Sequence, residues 1–219
     1  MRSNSLLSIP AFLSAVCALA FAPVSTRADV KLHALFSDHM VLQQKTTVPV
    51  WGWADEGEDV TVEFSGQTAR AKAVGGKWMV RLKNLKPGPA AKLIVKGKNT
   101  ITLNDVLVGE VWIASGQSNM EWPMSASYDP DNEIAKTANP NVRLFTVPKL
   151  KAEKPKDNVV GQWAECSPSS TRGFSAVGYY FGRDLQKGVG VPVGIIHTSW
   201  GGSPAEVWMS DAFLSKDKE

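Results

Sequence analysis

The sequence predicts a mixed fold: a small all-β sandwich over residues 29–107, followed by an α/β region with a parallel sheet over residues 108–219. Two changes of rhythm carry the prediction. Up to Leu107 apolar residues recur at short, alternating intervals between turn residues, the pattern of short strands packed face to face. After Val108 the order becomes strand, helix, strand, helix, strand, helix, which suits parallel strands with helices on their faces. A hydrophobic content of 43% with eight Trp, all beyond residue 28, supplies enough apolar surface for a core.

In the first region the segments Val48–Trp53, Val60–Phe64, Thr68–Val74, Trp78–Leu82, Leu93–Lys96 and Thr100–Leu103 are expected as strands. Turn signals separate them: Asp55-Glu56-Gly57, Ser65-Gly66, Gly75-Gly76 and Lys86-Pro87-Gly88-Pro89. In the second region Glu110–Ser115 is the first buried strand, Asn132–Ala138 a short helix and Val142–Val147 the second strand. Phe174, Val177, Phe181 and Leu185 fall on one face of a helix closed by Gly188 and Gly190. Val191–Ser199 is a third strand, and a last helix is expected from Pro204 to Leu214. Pro148–Asn158, with four lysines and two prolines, is expected as a solvated loop and not a binding patch. The chain shows no internal repeat. Three strands are fewer than a doubly wound sheet usually has, so this sheet is expected to be truncated.

The N-terminus has the layout of a secretory signal peptide over residues 1–28: Arg2, an apolar run from Ile9 to Ala22, then Thr26 and Ala28 as the small residues before a cut. Pro10 and Pro23 bracket a run too short for a transmembrane helix, and attachment of lipid at Cys17 is disfavoured by Val16 before it. The mature chain is expected to begin at Asp29 and to be secreted or periplasmic, with no membrane span. Losing Arg2 and Arg27 takes the formal charge from +3 to +1, which leaves no footprint for nucleic acid or an anionic membrane. Cys166 is then the only cysteine, so no internal disulfide is possible. Three isolated histidines and one cysteine show no metal-ligand spacing, and no cofactor is expected.

Ligands of open parallel sheets bind where loops leave the carboxyl ends of the strands. Two unusual loops leave there: Gly116-Gln117-Ser118-Asn119-Met120 and Trp200-Gly201-Gly202-Ser203-Pro204. A serine just after a buried strand, preceded by a glycine, can project its hydroxyl as a nucleophile. The spacing is not Gly-x-Ser-x-Gly, however, and taken alone Gly-Gln-Ser is better explained as an ordinary strand-end turn. Gly201 and Gly202 can bring main-chain N–H groups to a developing oxyanion, or can simply form a tight turn before Pro204.

The runs VWIASGQSNMEWPM (residues 111–124) and HTSWGGSPAEVWMS (residues 197–210) resemble the sialate O-acetylesterase family of the SGNH hydrolases. LFSDHMVLQQ (residues 35–44) and VPVWGWA (residues 48–54) are similar to that family's N-terminal β-domain, so the resemblance covers most of the mature chain. It implies a flavodoxin-like SGNH hydrolase domain, with Ser118 as nucleophile and the N–H groups of Ser118 and of Gly201 or Gly202 in the oxyanion hole. Gln117, Asn119 and Glu121 are implied as residues that orient the loop or touch substrate, with no catalytic step assigned to them. The implied substrate is an O-acetylated sugar, sialic acid or a related carbohydrate, cleaved through an acetyl-enzyme.

The family's Asp-x-x-His block, which supplies the general base, does not occur in this sequence, and neither does its later oxyanion donor. His33 and His39 lie in the β-region, while His197 ends the third strand with no Asp at the matching spacing. His197 is therefore expected to be a satisfied structural histidine, and the 219 residues by themselves are expected to be inactive. Two alternatives stay open. One is an acetylxylan-type esterase on another acetylated sugar; the other is a non-catalytic carbohydrate-binding protein using Trp51, Trp53 and Trp78, residues expected mainly in the core.

Overall fold

The computed structural model describes residues 29–216, and the expected signal peptide lies outside the described residues. The β-rich part comprises β1 (Lys31–Leu32), β2 (Val41–Gln43), β3 (Val48–Trp53), β4 (Asp59–Phe64), β5 (Gln67–Lys72), β6 (Lys77–Leu82), β7 (Ala91–Lys96) and β8 (Thr100–Gly116). Then follow α1 (Ser118–Glu121), α2 (Pro130–Ala135), β9 (Asn139–Thr146), β10 (Trp163–Cys166), α3 (Pro168–Thr171), α4 (Ala176–Val189), β11 (Val193–Ser199) and α5 (Asp211–Leu214). Single 3-10 turns occupy Met124–Ala126 and Ala205–Trp208.

Alternation builds the β-rich part. In β6 Trp78, Val80 and Leu82 point inward while their neighbours face solvent, and Val60, Val62 and Phe64 do the same in β4. The sheet β1-β3-β6 packs these side chains against the sheet that carries β5, β4, β7 and the first half of β8. Leu82 and Leu93 are fully buried between them, and cutting either to Ala would cost about 2–5 kcal/mol. Trp78 is in this core, its indole N–H donating to the Trp53 carbonyl at 3.2 Å. Trp51 and Trp53 are half-buried, with Trp51 packed against His33 and edge-on to Phe36.

The strands expected at Thr100–Leu103 and Glu110–Ser115 are one 17-residue strand, β8. Its first half pairs antiparallel with β7, residues 107–109 pair with β2, and residues 110–116 run parallel to β11. The boundary drawn at 107/108 thus falls inside a strand, where no linker separates the two regions. Gly109 makes the passage possible: a β-carbon there would sit 1.9 Å from the Pro192 carbonyl oxygen, which accepts the Glu110 N–H at 2.9 Å. Gln43 and Gln44 donate to the two oxygens of Glu110 at 3.0 and 2.6 Å, and Gln43 also accepts the Val111 N–H at 2.7 Å. Two of the polar side chains in the segment 35–44 therefore fasten the start of the parallel sheet.

That sheet has β9, β11 and β8 parallel, with β10 antiparallel on the far side of β9. Helices were expected on the faces of this sheet; α4 covers one, with Ile134 of α2 in the same core, whereas Phe145, Trp163 and Ile196, on the other face, join the core of the β-rich part. The expected face of α4 is also corrected. Its buried residues are Ala176, Gly178, Tyr179 and Gly182, while Val177 and Phe181 are 48% and 44% exposed and Phe174 precedes the helix. Small residues win because the helix lies close on the sheet: a β-carbon on Gly182 would meet Ile195 at 2.8 Å. The helix expected over Pro204–Leu214 is broken into the turn Ala205–Trp208 and the four-residue α5. The buried Cys166 thiol donates to the Thr137 carbonyl at 3.0 Å, and burial raises its pKa. Among the described residues no helix is long and apolar enough to cross a membrane.

Candidate active site

The carboxyl ends of β8 and β11 lie side by side, in register as far as Ser199 opposite Gly116. Both unusual loops leave from this point and are stitched together. The Trp200 N–H donates to the Gly116 carbonyl at 2.9 Å, and the Gln117 side-chain amide donates to the Ser203 carbonyl. Gly116 has φ 135°, a conformation that favours glycine, and there the chain turns from strand into α1.

Ser118 is the first residue of α1 and is exposed, and its hydroxyl makes no hydrogen bond among the described residues. Asn119 is exposed beside it. Glu121, one turn on, points back across the gap: one carboxylate oxygen accepts the Gly201 N–H and the other holds the Lys149 ammonium. The Lys149 hydrogen bond and then the Gly201 N–H hold the Glu121 carboxyl below its usual pKa. A β-carbon at Gly201 would lie 2.8 Å from the Glu121 carboxylate, so any larger residue there would push that carboxylate aside. Gly202 has φ 74° with open space where a side chain would be, and its N–H meets no acceptor among the described residues.

A cleft of about 710 Å³ opens beside this junction. The loop after β11, from Trp200 to Pro204, forms one wall, and Val147 to Ala152 form the other. The segment read from sequence as merely solvated therefore contributes to the site: Lys149 pairs with Glu121 and lies 6.0 Å from the Trp200 ring. Nothing in the spacing of the sequence signals this pairing across 28 positions.

His197 is buried, as expected of a structural histidine, but it is only half satisfied. Nε2 is 2.5 Å from Ser199 Oγ, Nδ1 has no partner among the described residues, and Phe174 packs edge-on to the ring. Burial pushes its pKa down, with a smaller opposite push from Glu121. Its Nε2 is thus committed to Ser199 and not to Ser118. His33 packs on Trp51 and Trp53, and His39 Nδ1 lies 2.7 Å from Asp105.

His39, Asp105 and Glu165 bring one ligand atom each within 4.8 Å of one another, a grouping the linear spacing does not show. The buried Arg143 guanidinium stands among them, donating to Asp105 and lying 3.5 Å from Glu165. Its hydrogen bond holds the Asp105 carboxyl below the usual range. The group joins β8, β9 and β10 as an ion-pair network.

A family model of carbohydrate esterases, described as sialic acid-specific acetylesterase, matches residues 108–217, which includes both loops of the site. The chain belongs to this family of carbohydrate esterases. It is 34% identical over 200 residues to the sialate O-acetylesterase of Homo sapiens and 32% identical over 216 residues to that of Rattus norvegicus. These alignments take in 81% and 88% of this chain but 38% and 40% of the relatives, so the chain spans about two fifths of their length. A crystal structure of a carbohydrate acetylesterase from Xanthomonas citri superposes with a TM-score of 0.83 at 38% identity, covering 85% of this chain and 44% of that one. The mixed α/β fold is therefore that of a carbohydrate acetylesterase over the shared part.

Proposed function

We propose that this chain carries the nucleophile half of a sialate O-acetylesterase, acting on O-acetyl groups of sialic acid or a related sugar. One observation carries the reading: an exposed, unencumbered Ser118 hydroxyl sits where the glycine loop after β11 docks on the start of α1, beside a cleft of sugar size. Ser118 attacks the acetyl carbonyl, the oxyanion is received by main-chain N–H groups, an acetyl-enzyme forms, and water releases acetate. Of the two glycines, Gly202 is better placed to donate, because Glu121 already takes the Gly201 N–H.

No described side chain is placed to take the proton of Ser118, and His197 is turned to Ser199. We assign the general base to sequence that the longer relatives carry and this chain does not span. The parallel strands β9, β11 and β8 with α4 on one face support an SGNH-type, flavodoxin-like domain joined to a β-sandwich. The expected signal peptide supports a secreted or periplasmic enzyme. The relative from Xanthomonas citri, described only as a carbohydrate acetylesterase, keeps another acetylated sugar as the second reading.

The test uses the whole protein, with any segment encoded beyond residue 219. A fluorophosphonate should label Ser118, and Ser118→Ala should lower turnover of an acetyl ester by at least roughly 1,000-fold with folding unchanged. Unchanged activity in the variant would remove Ser118 from the mechanism.

A further inference from the structure

Among the described residues, Lys149 and Lys151 are the only charged side chains that line the 710 Å³ cleft, and no carboxylate lines it. The two differ in their commitments. Lys149 is held by Glu121, so its charge is largely answered within the protein. Lys151 has no acidic partner among the described residues and faces the same space. The rest of the lining mixes apolar rings and polar groups, Trp200 and Trp208 beside Thr198, Gly201 and Gly202, a composition that suits a sugar. The Trp208 indole N–H donates to Ser203 Oγ at 2.9 Å, which ties that ring to the glycine loop.

We propose that Lys151 is a specificity-determining residue that donates to the carboxylate of an acidic acetylated sugar held in this cleft. The proposal rests on the esterase reading for its substrate class, and on the unpaired charge for its residue. A cleft with one unanswered ammonium and no carboxylate favours an anionic ligand over a neutral one of the same shape. An ammonium–carboxylate hydrogen bond is of the stronger, charge-assisted kind, so its loss should be measurable even at an exposed rim. Lys154, on the same loop but outside the cleft lining, provides the control.

The experiment measures binding of N-acetylneuraminate and of its C1 methyl ester by calorimetry. The proteins are the whole protein, Lys151→Ala and Lys154→Ala. Lys151→Ala should weaken binding of the acid about tenfold, leave the methyl ester unchanged, and raise KM for the O-acetylated acid to match. Lys154→Ala should change neither the binding of acid or ester nor the turnover of 4-nitrophenyl acetate. Equal affinity for acid and methyl ester in the unaltered protein, no binding of the acid at all, or an unchanged preference in Lys151→Ala would overturn the proposal. Absence of hydrolysis of every ester would sink the esterase reading instead, and the binding measurements would still decide the role of Lys151.

Discussion

The Glu121 carboxylate bridges the nucleophile helix and the cleft, accepting the Gly201 N–H with one oxygen and the Lys149 ammonium with the other. Glu121 sits one turn after Ser118, so this contact sets how α1 meets the glycine loop. Glu121→Ala in the whole protein should lower kcat about 10–100-fold with a smaller effect on KM, as expected when a catalytic group is misplaced by a fraction of its reach. Glu121→Gln keeps an acceptor for Gly201 and should recover most of that loss. Equal damage from both variants would mean that charge, not position, is what Glu121 supplies.

At Gly109 the sheet has no room for any side chain. The Pro192 carbonyl, just before β11, would overlap a β-carbon, and the obstacle is backbone. Gly109→Ala should destabilise the protein by about 2–3 kcal/mol, the upper range of overpacking, through separation of β8 from the entry to β11. A lowered denaturant midpoint checks it, with Gly66→Ala contrasting as a site of positive φ but open space.

Arg143 should prove costly to remove. Its side chain is 2% exposed, its Nε donates to the Pro140 carbonyl at 2.8 Å, and it answers both Asp105 and Glu165. Arg143→Met should cost about 2–3 kcal/mol, below the range for a fully buried pair because Asp105 is 28% exposed and keeps some hydration. Adding Asp105→Asn to Arg143→Met should restore part of the stability, since the uncompensated carboxylate is then gone. Strict additivity of the two changes in a double-mutant cycle would deny the coupling.

How much of this was legible depends on which residue types carried the signal. The strands around Val48, Val60, Trp78 and Leu93 announce themselves because alternate side chains are large and apolar. By contrast β1 and β2, two and three residues long, are too short to show a period. The α4 helix misleads: glycines at 178 and 182 are silent in any hydrophobic pattern, while the visible Val177 and Phe181 lie on the outer face. Ser118 and the glycine loop stand out by position after strands. Their fastening by Glu121 and Lys149 does not, because ion pairs between distant loops leave no periodic trace.

Acid should weaken the fold earlier than its carboxylates require. Burial holds both His33 and His197 below the ordinary histidine pKa, so the folded state favours their neutral forms. As pH falls through about 6.5 the unfolded chain takes up these protons first, and stability drops until the folded pKa values are passed. Carboxylates with lowered pKa, such as Asp105 and Glu121, lose their contribution only below their unfolded values near pH 4–4.5, a separate window. Urea midpoints at pH 7.5 and 5.5 should differ less in His197→Gln than in the unaltered protein, with His33 supplying the remainder. The same difference in both would show that His197 does not titrate with folding.

The last expectation concerns the open edge of β8. Residues 110–116 pair with β11 on one side and with no strand on the other among the described residues. The neighbourhood is apolar: Ile113 is 68% exposed, and Trp112, at 46%, packs edge-on to Phe181 at 5.2 Å. Unpaired backbone groups beside exposed apolar side chains form a template for a further strand. Residues 29–216 expressed by themselves should therefore associate as concentration rises, and sedimentation velocity across the micromolar range would show it. Ile113→Lys places a charge on that edge without disturbing a packed ring, so it should shift the sample towards monomer while leaving the unfolding midpoint nearly unchanged. Trp112→Lys is the poorer choice, because it would uncover Phe181 as it charges the strand. A monomer at every concentration before any substitution would mean that the edge does not recruit a second chain.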